Sequence, residues 1–150
     1  MGQTADLLSL NNELFKTYLF YSVVLMVKLI LMAPLTGRQR YKNMAFANPE
    51  DADTNNVKVK THDDVERVRR AHLNDLENIP AFIITSFAYI LTNPEIEFAT
   101  LLFKAFTAAR FVHTFVYALY VVPQPARALS FFVGLLITLY MAFVSIYHFM

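Results

Sequence analysis

The chain has no cysteine, no tryptophan, only three glycines and, at 17%, few charged residues among its 150 positions. The missing cysteine rules out disulfides, thiolate metal sites, a cysteine nucleophile and cysteine-linked lipid, so any reaction that needs a thiol must take it from a second molecule. Without tryptophan, anchoring at a membrane surface falls to tyrosine, Tyr18, Tyr21, Tyr89 and Tyr147 near one side and Tyr41 and Tyr120 near the other. The chain contains no glycine-rich phosphate loop, no P-loop, no G-x-S-x-G elbow and no H-E-x-x-H pair. The histidines His62, His72, His113 and His148 have no ligand spacing, so no metal centre is expected. A formal charge of +1 provides no global field for nucleic acid, and any electrostatic function must be local.

What the chain does have is apolar length. Hydrophobic residues make up 56%, against roughly 45–50% in soluble domains. Four spans of roughly 20 residues would use a little over half of the chain and leave one substantial loop. The sequence predicts an all-α integral membrane four-helix bundle, a single domain with spans at about 12–36, 63–92, 96–122 and 127–149. The connection at about 37–62 carries the breakers Asn48-Pro49 and Asp53-Thr54-Asn55-Asn56. The start Met1-Gly2-Gln3-Thr4-Ala5-Asp6 departs from a myristoylation signal at Asp6. Span two is unusual: it is densely charged from Asp63 to Asn78 and apolar from Ile79 to Leu91, with Pro80 as a tolerated kink. Its start is expected at a capping hydroxyl or carboxylate between Thr61 and Asp63. Span three is stopped by Pro123-Gln124-Pro125. Of the 13 Lys and Arg, the eight Arg38, Arg40, Lys42, Lys58, Lys60, Arg67, Arg69 and Arg70 fall between the apolar cores of spans one and two. The positive-inside rule then makes that connection cytosolic and both termini luminal.

Charged groups inside spans need partners or water. Arg70, Asn74 and Glu77 recur at i, i+4 and i+7 on one face of helix two, and Arg110, His113 and Tyr117 recur at i, i+3 and i+7 on helix three. Two readings stand for these stripes: a ladder in which the helices satisfy one another, with Glu77 balancing Arg110, or a pocket for a zwitterionic or anionic ligand. Arg127 opens span four, where free N–H groups and the helix dipole favour an anion; a snorkelling interfacial arginine would look the same. Lys28 either snorkels too or has a partner on another helix.

Beyond these patterns, Phe46-Ala47-Asn48-Pro49-Glu50-Asp51 and the run Val65-Glu66-Arg67-Val68-Arg69-Arg70-Ala71-His72-Leu73-Asn74-Asp75-Leu76-Glu77-Asn78-Ile79 closely resemble the signature of the membrane-associated proteins in eicosanoid and glutathione metabolism. Ala109-Arg110, His113-Thr114, Tyr117 and Pro123-Gln124-Pro125-Ala126-Arg127-Ala128 resemble its glutathione transferase branch in particular. The resemblance implies a homotrimer in the phospholipid bilayer, of the endoplasmic reticulum or the outer mitochondrial membrane. Glutathione would be the co-substrate, held near the cytosolic side by Arg70, His72, Asn74 and Glu77, with Arg110, His113, Tyr117 and Arg40 contributing. It assigns thiolate stabilisation, the catalytic role, to Arg127. It also implies conjugation of glutathione to lipophilic electrophiles, with reduction of lipid hydroperoxides as a second activity. Two relatives suggest alternatives, a prostaglandin E synthase-type isomerase and a non-catalytic lipid-presenting scaffold. The isomerase branch has serine after the arginine, where this chain has Ala128.

Overall fold

The computed structural model describes residues 6–150, so the expectation for the extreme N-terminus, Met1 to Ala5, lies outside the described residues. Within them the chain is all-α. Helix α1 spans Glu13–Asn43, α2 Pro49–Thr54, α3 Asp63–Leu91, α4 Ile96–Thr114 and α5 Ala126–Phe149, with a π-helical turn at Phe115–Leu119 after α4. The long helices pack side by side, α1 on α3 and α4, and α5 on α3 and α4.

Local chemistry explains the boundaries. Asn12 caps α1, its side-chain oxygen accepting from the Phe15 N–H at 3.1 Å, which satisfies one of the free donors of the first turn. At the other end Met44 turns left-handed at φ 46°, with the Ala45 N–H reaching the Arg40 carbonyl at 2.9 Å. Glycine usually takes this position; a glycine-poor chain uses methionine. The helix therefore runs on through residues 37–43, which the sequence pattern places in the connection. At 31 residues it is about 46 Å long at 1.5 Å per residue.

The cap of α3 is neither a hydroxyl nor a carboxylate. The His62 imidazole accepts from the Asp64 N–H at 3.2 Å. As expected, α3 is one helix through Pro80. Helix α4 gives way earlier than its apolar run suggests. The wider turn at Phe115–Leu119 leads to an extended Tyr120 at φ −132°, ahead of Val122, which as the residue before a proline is biased away from helix.

Two helices, α1 and α5, are long and apolar enough to cross a membrane. The interior contains two buried clusters. The larger centres on Leu25, Leu29, Phe82, Phe103, Phe106 and Met141, where Phe82 stacks on Phe106 at 3.7 Å and meets Phe103 edge-on at 6.1 Å. The smaller consists of Met32, Val68, Ala71 and Ala118, with Leu35 and Tyr117 packed against it. Outside, Phe20, Val23, Val27 and Ile30 make an exposed apolar face on α1, and Leu129, Phe132, Leu136 and Phe143 make another on α5. Contiguous apolar surface of this kind belongs against lipid or protein, not water.

Candidate functional site

A cleft of about 450 Å³ opens where the charged half of α3, the end of α4 and the start of α5 meet. Helix α3 contributes Arg70, Leu73, Asn74 and Glu77; His113 and Tyr117 come from α4 and the turn after it; Gln124, Arg127, Ala128, Phe131 and Phe132 come from the α5 end. Arg70, Asn74 and Glu77 of the first stripe and His113 and Tyr117 of the second therefore line one space, together with Arg127 and the Phe131 and Phe132 rings.

The two stripes meet through Arg110 and Asn74, but Glu77 does not balance Arg110. Arg70, Glu77 and Arg127 form no ion pair among the described residues. Two cations and one carboxylate therefore line the cleft without a counter-charge among the described residues. Expected to balance Arg110, Glu77 instead faces the cleft, exposed. Arg110 is fully buried and its partner is Asp75, at 2.5 Å from Nη2 and 3.1 Å from Nε. The reason is angular: Asp75 lies about 100° round α3 from Asn74, towards α1 and α4, whereas Glu77 lies on the cleft side.

Lys28 also pairs with Asp75, so of its two readings the partner on another helix holds. Asp75 had no place in either stripe. Its one advance signal was the need for an anion near two cations inside apolar runs.

At the α5 end, the Arg127 guanidinium lies over the Tyr117 ring, 4.5 Å from its centroid, a cation–π contact that fixes the side chain. His113 meets the same ring edge-on at 5.5 Å, and its buried Nδ1 has no hydrogen-bond partner among the described residues. Gln124 Oε1 accepts from the Ala128 N–H at 3.3 Å. The N–H groups of Ala126 and Arg127, ahead of it in the first turn, have no intrahelical acceptor to find. Guanidinium and helix terminus thus present positive potential to one corner of the cleft.

Three expected site residues do not line it. Arg110 stands behind Asn74, donating from Nη2 to Asn74 Oδ1 at 2.8 Å. Half-buried His72 lies away from the cleft lining, on the side of α3 that its spacing from Arg70 implies. Arg40 lines a separate 370 Å³ cavity with Asn48, Lys60, Glu66 and Arg69, at the junction of α1, the connection and α3. Among the described residues no group of three or more His, Asp or Glu is placed to hold a metal.

The chain is 44% identical over 146 residues to microsomal glutathione S-transferase 1 of Mus musculus, covering 93% of this chain and 94% of that protein. It is 44% identical over 140 residues to the Homo sapiens protein of the same name, covering 89% and 90%. Prostaglandin E synthase of Bos taurus is 36% identical over 124 residues, covering 81% and 80%. The profile of the MAPEG family matches residues 18–147, and the chain belongs to that family.

Proposed function

We propose that this chain is a membrane glutathione S-transferase that joins the glutathione thiolate to lipophilic electrophiles. The observation that carries the proposal is the cleft itself, in which Arg70, Glu77 and Arg127 stand without counter-charges among the described residues, beside Asn74, His113 and Tyr117. Glutathione has two carboxylates, one ammonium and a thiol. Arg70 suits a carboxylate, Glu77 the ammonium, and Arg127 the sulfur.

Activation follows from the Arg127 corner. A thiol of pKa near 8.5 is only a few per cent ionised at pH 7, and each unit of depression reflects about 1.36 kcal/mol of preference for the anion. A guanidinium and a helix N-terminus supply that preference without a general base. The thiolate then attacks an electrophilic carbon: a C–S bond forms and a leaving group departs as an anion, or, in an addition, the new carbanion takes a proton from solvent. With a lipid hydroperoxide the thiolate attacks the distal oxygen and breaks the O–O bond. The alkoxide takes the proton of the sulfenic acid and leaves as the alcohol. The thiol of a second glutathione then attacks the sulfenate sulfur, forming the disulfide and expelling the oxygen as hydroxide, which is protonated to water.

Phe131, Phe132 and the exposed apolar face of α5 make the cleft reachable from lipid. In the proposed setting the bundle spans the bilayer of the endoplasmic reticulum or the outer mitochondrial membrane, with both termini luminal and the cleft towards the cytosol. Three copies assemble, and Arg40 and His72, off the cleft in one protomer, serve the ligand across a subunit boundary.

A second reading, glutathione-dependent isomerisation of a prostaglandin endoperoxide, is disfavoured by Ala128, which lines the cleft beside Arg127 with a methyl where that branch has a hydroxyl. Purified protein given glutathione and chlorodinitrobenzene should release the conjugate and chloride. Turnover of an endoperoxide without any conjugation would favour the isomerase, and no turnover of either would favour the scaffold.

A further inference from the structure

The mechanism above makes no use of the ionic cluster behind the cleft. Lys28, Asp75 and Arg110 are 5%, 0% and 0% exposed. Asp75 Oδ1 accepts from Arg110 Nε at 3.1 Å and Nη2 at 2.5 Å, while Oδ2 takes the Lys28 ammonium and the Thr114 hydroxyl, the latter at 3.4 Å. Helices α1, α3 and α4 are thereby tied at one carboxylate. That carboxylate leaves Arg110 little freedom to turn, and the same Nη2 continues to Asn74 Oδ1 at 2.8 Å.

The consequence lies in the amide. A guanidinium has only donors, so an asparagine bonded to it must present its oxygen. The nitrogen then points the other way. Asn74 lines the cleft, and its Nδ2 has no protein acceptor among the described residues.

We propose that Asp75 is a positioning residue for glutathione: by holding Arg110 it fixes the Asn74 amide so that a donor, not an acceptor, meets a carboxylate or peptide carbonyl of the ligand. The inference rests on the glutathione reading of the cleft. It also gives Arg110 a part: with no exposure of its own, it bonds to the cleft residue Asn74.

A double-mutant cycle tests it, using full-length protein in detergent, glutathione affinity and steady-state conjugation. Asp75→Asn should raise the glutathione KM about tenfold, within the range measured for networked pairs, while turnover at saturating glutathione falls much less. In the Asn74→Ala background the same change should raise KM less than about twofold, because the group it orients is gone. Additive effects in the two backgrounds, or a matching loss of saturated turnover, would overturn the proposal. Should Asp75→Asn fail to assemble, Asn74→Asp makes the same test. It keeps an acceptor for Arg110 but turns a carboxylate oxygen towards the ligand, so affinity should fall further than in Asn74→Ala. An equal or smaller loss would overturn the proposal. If the wild-type protein does not bind glutathione, the function reading falls and takes this one with it; binding with additive effects removes the positioning role alone.

Discussion

Arg127 is the residue on which the proposed chemistry turns, and Tyr117 holds it in place. Replacing Arg127 by alanine should lower saturated conjugation by about a hundredfold, the scale of losing a preorganised donor to a developing anion. Lysine at the same position keeps the charge but not the flat guanidinium that stacks on the Tyr117 ring, so it should recover only part of the rate. Both are read from kcat with glutathione saturating. Behind the cleft the charges make a different prediction. Lys28, Arg110 and Asp75 are two cations sharing one anion. Lys28→Met leaves a balanced pair and should change stability little, whereas Asp75→Ala leaves two buried cations unpaired and should cost about 3–5 kcal/mol or prevent folding. Thermal denaturation in detergent separates the two.

At the level of helices, α3 places the site. Its charged half could not cross lipid alone, and it finds its setting against the polar ends of α4 and α5. The stripe Arg70, Asn74 and Glu77 was legible from spacing because i, i+4 and i+7 share a face whatever the helix packs against. Asp75 was not legible, because its role depends on Lys28, 47 residues away, and Arg110, 35 residues away; no local pattern encodes that meeting. The same holds for Arg40, whose separate cavity arises only once α1 runs on to Asn43. Boundaries were missed where Met44 turns left-handed and where a π-helical turn ends α4, whereas α3 starts at Asp63 as expected and only its capping group, the His62 imidazole, differs. The Asn12 cap is conventional. Asn12→Ala should cost about 1 kcal/mol, visible as a lower denaturation midpoint with glutathione KM unchanged, since Asn12 lies at the end of α1 opposite the cleft.

For the whole molecule, the exposed apolar faces of α1 and α5 are what a bilayer must cover. The proposed topology predicts that protease added to sealed microsomes cuts the connection around Lys58 and Lys60 and spares a tag on either terminus; the reverse pattern would invert the orientation and turn the cleft to the lumen. The composition of the chain and its chemistry meet here. A protein without cysteine has only ligand sulfur to ionise, so a thiolate signal after mixing has one possible source. The most direct measurement is the ultraviolet difference absorbance of thiolate when glutathione is mixed at neutral pH with the wild-type protein and with Arg127→Ala, both assembled to the same size. The account predicts a thiolate band for the wild type, lost on later addition of chlorodinitrobenzene as conjugate forms, and none for the variant. An equal band in both would contradict the role of Arg127, and no band in either, with glutathione bound, would contradict thiolate activation.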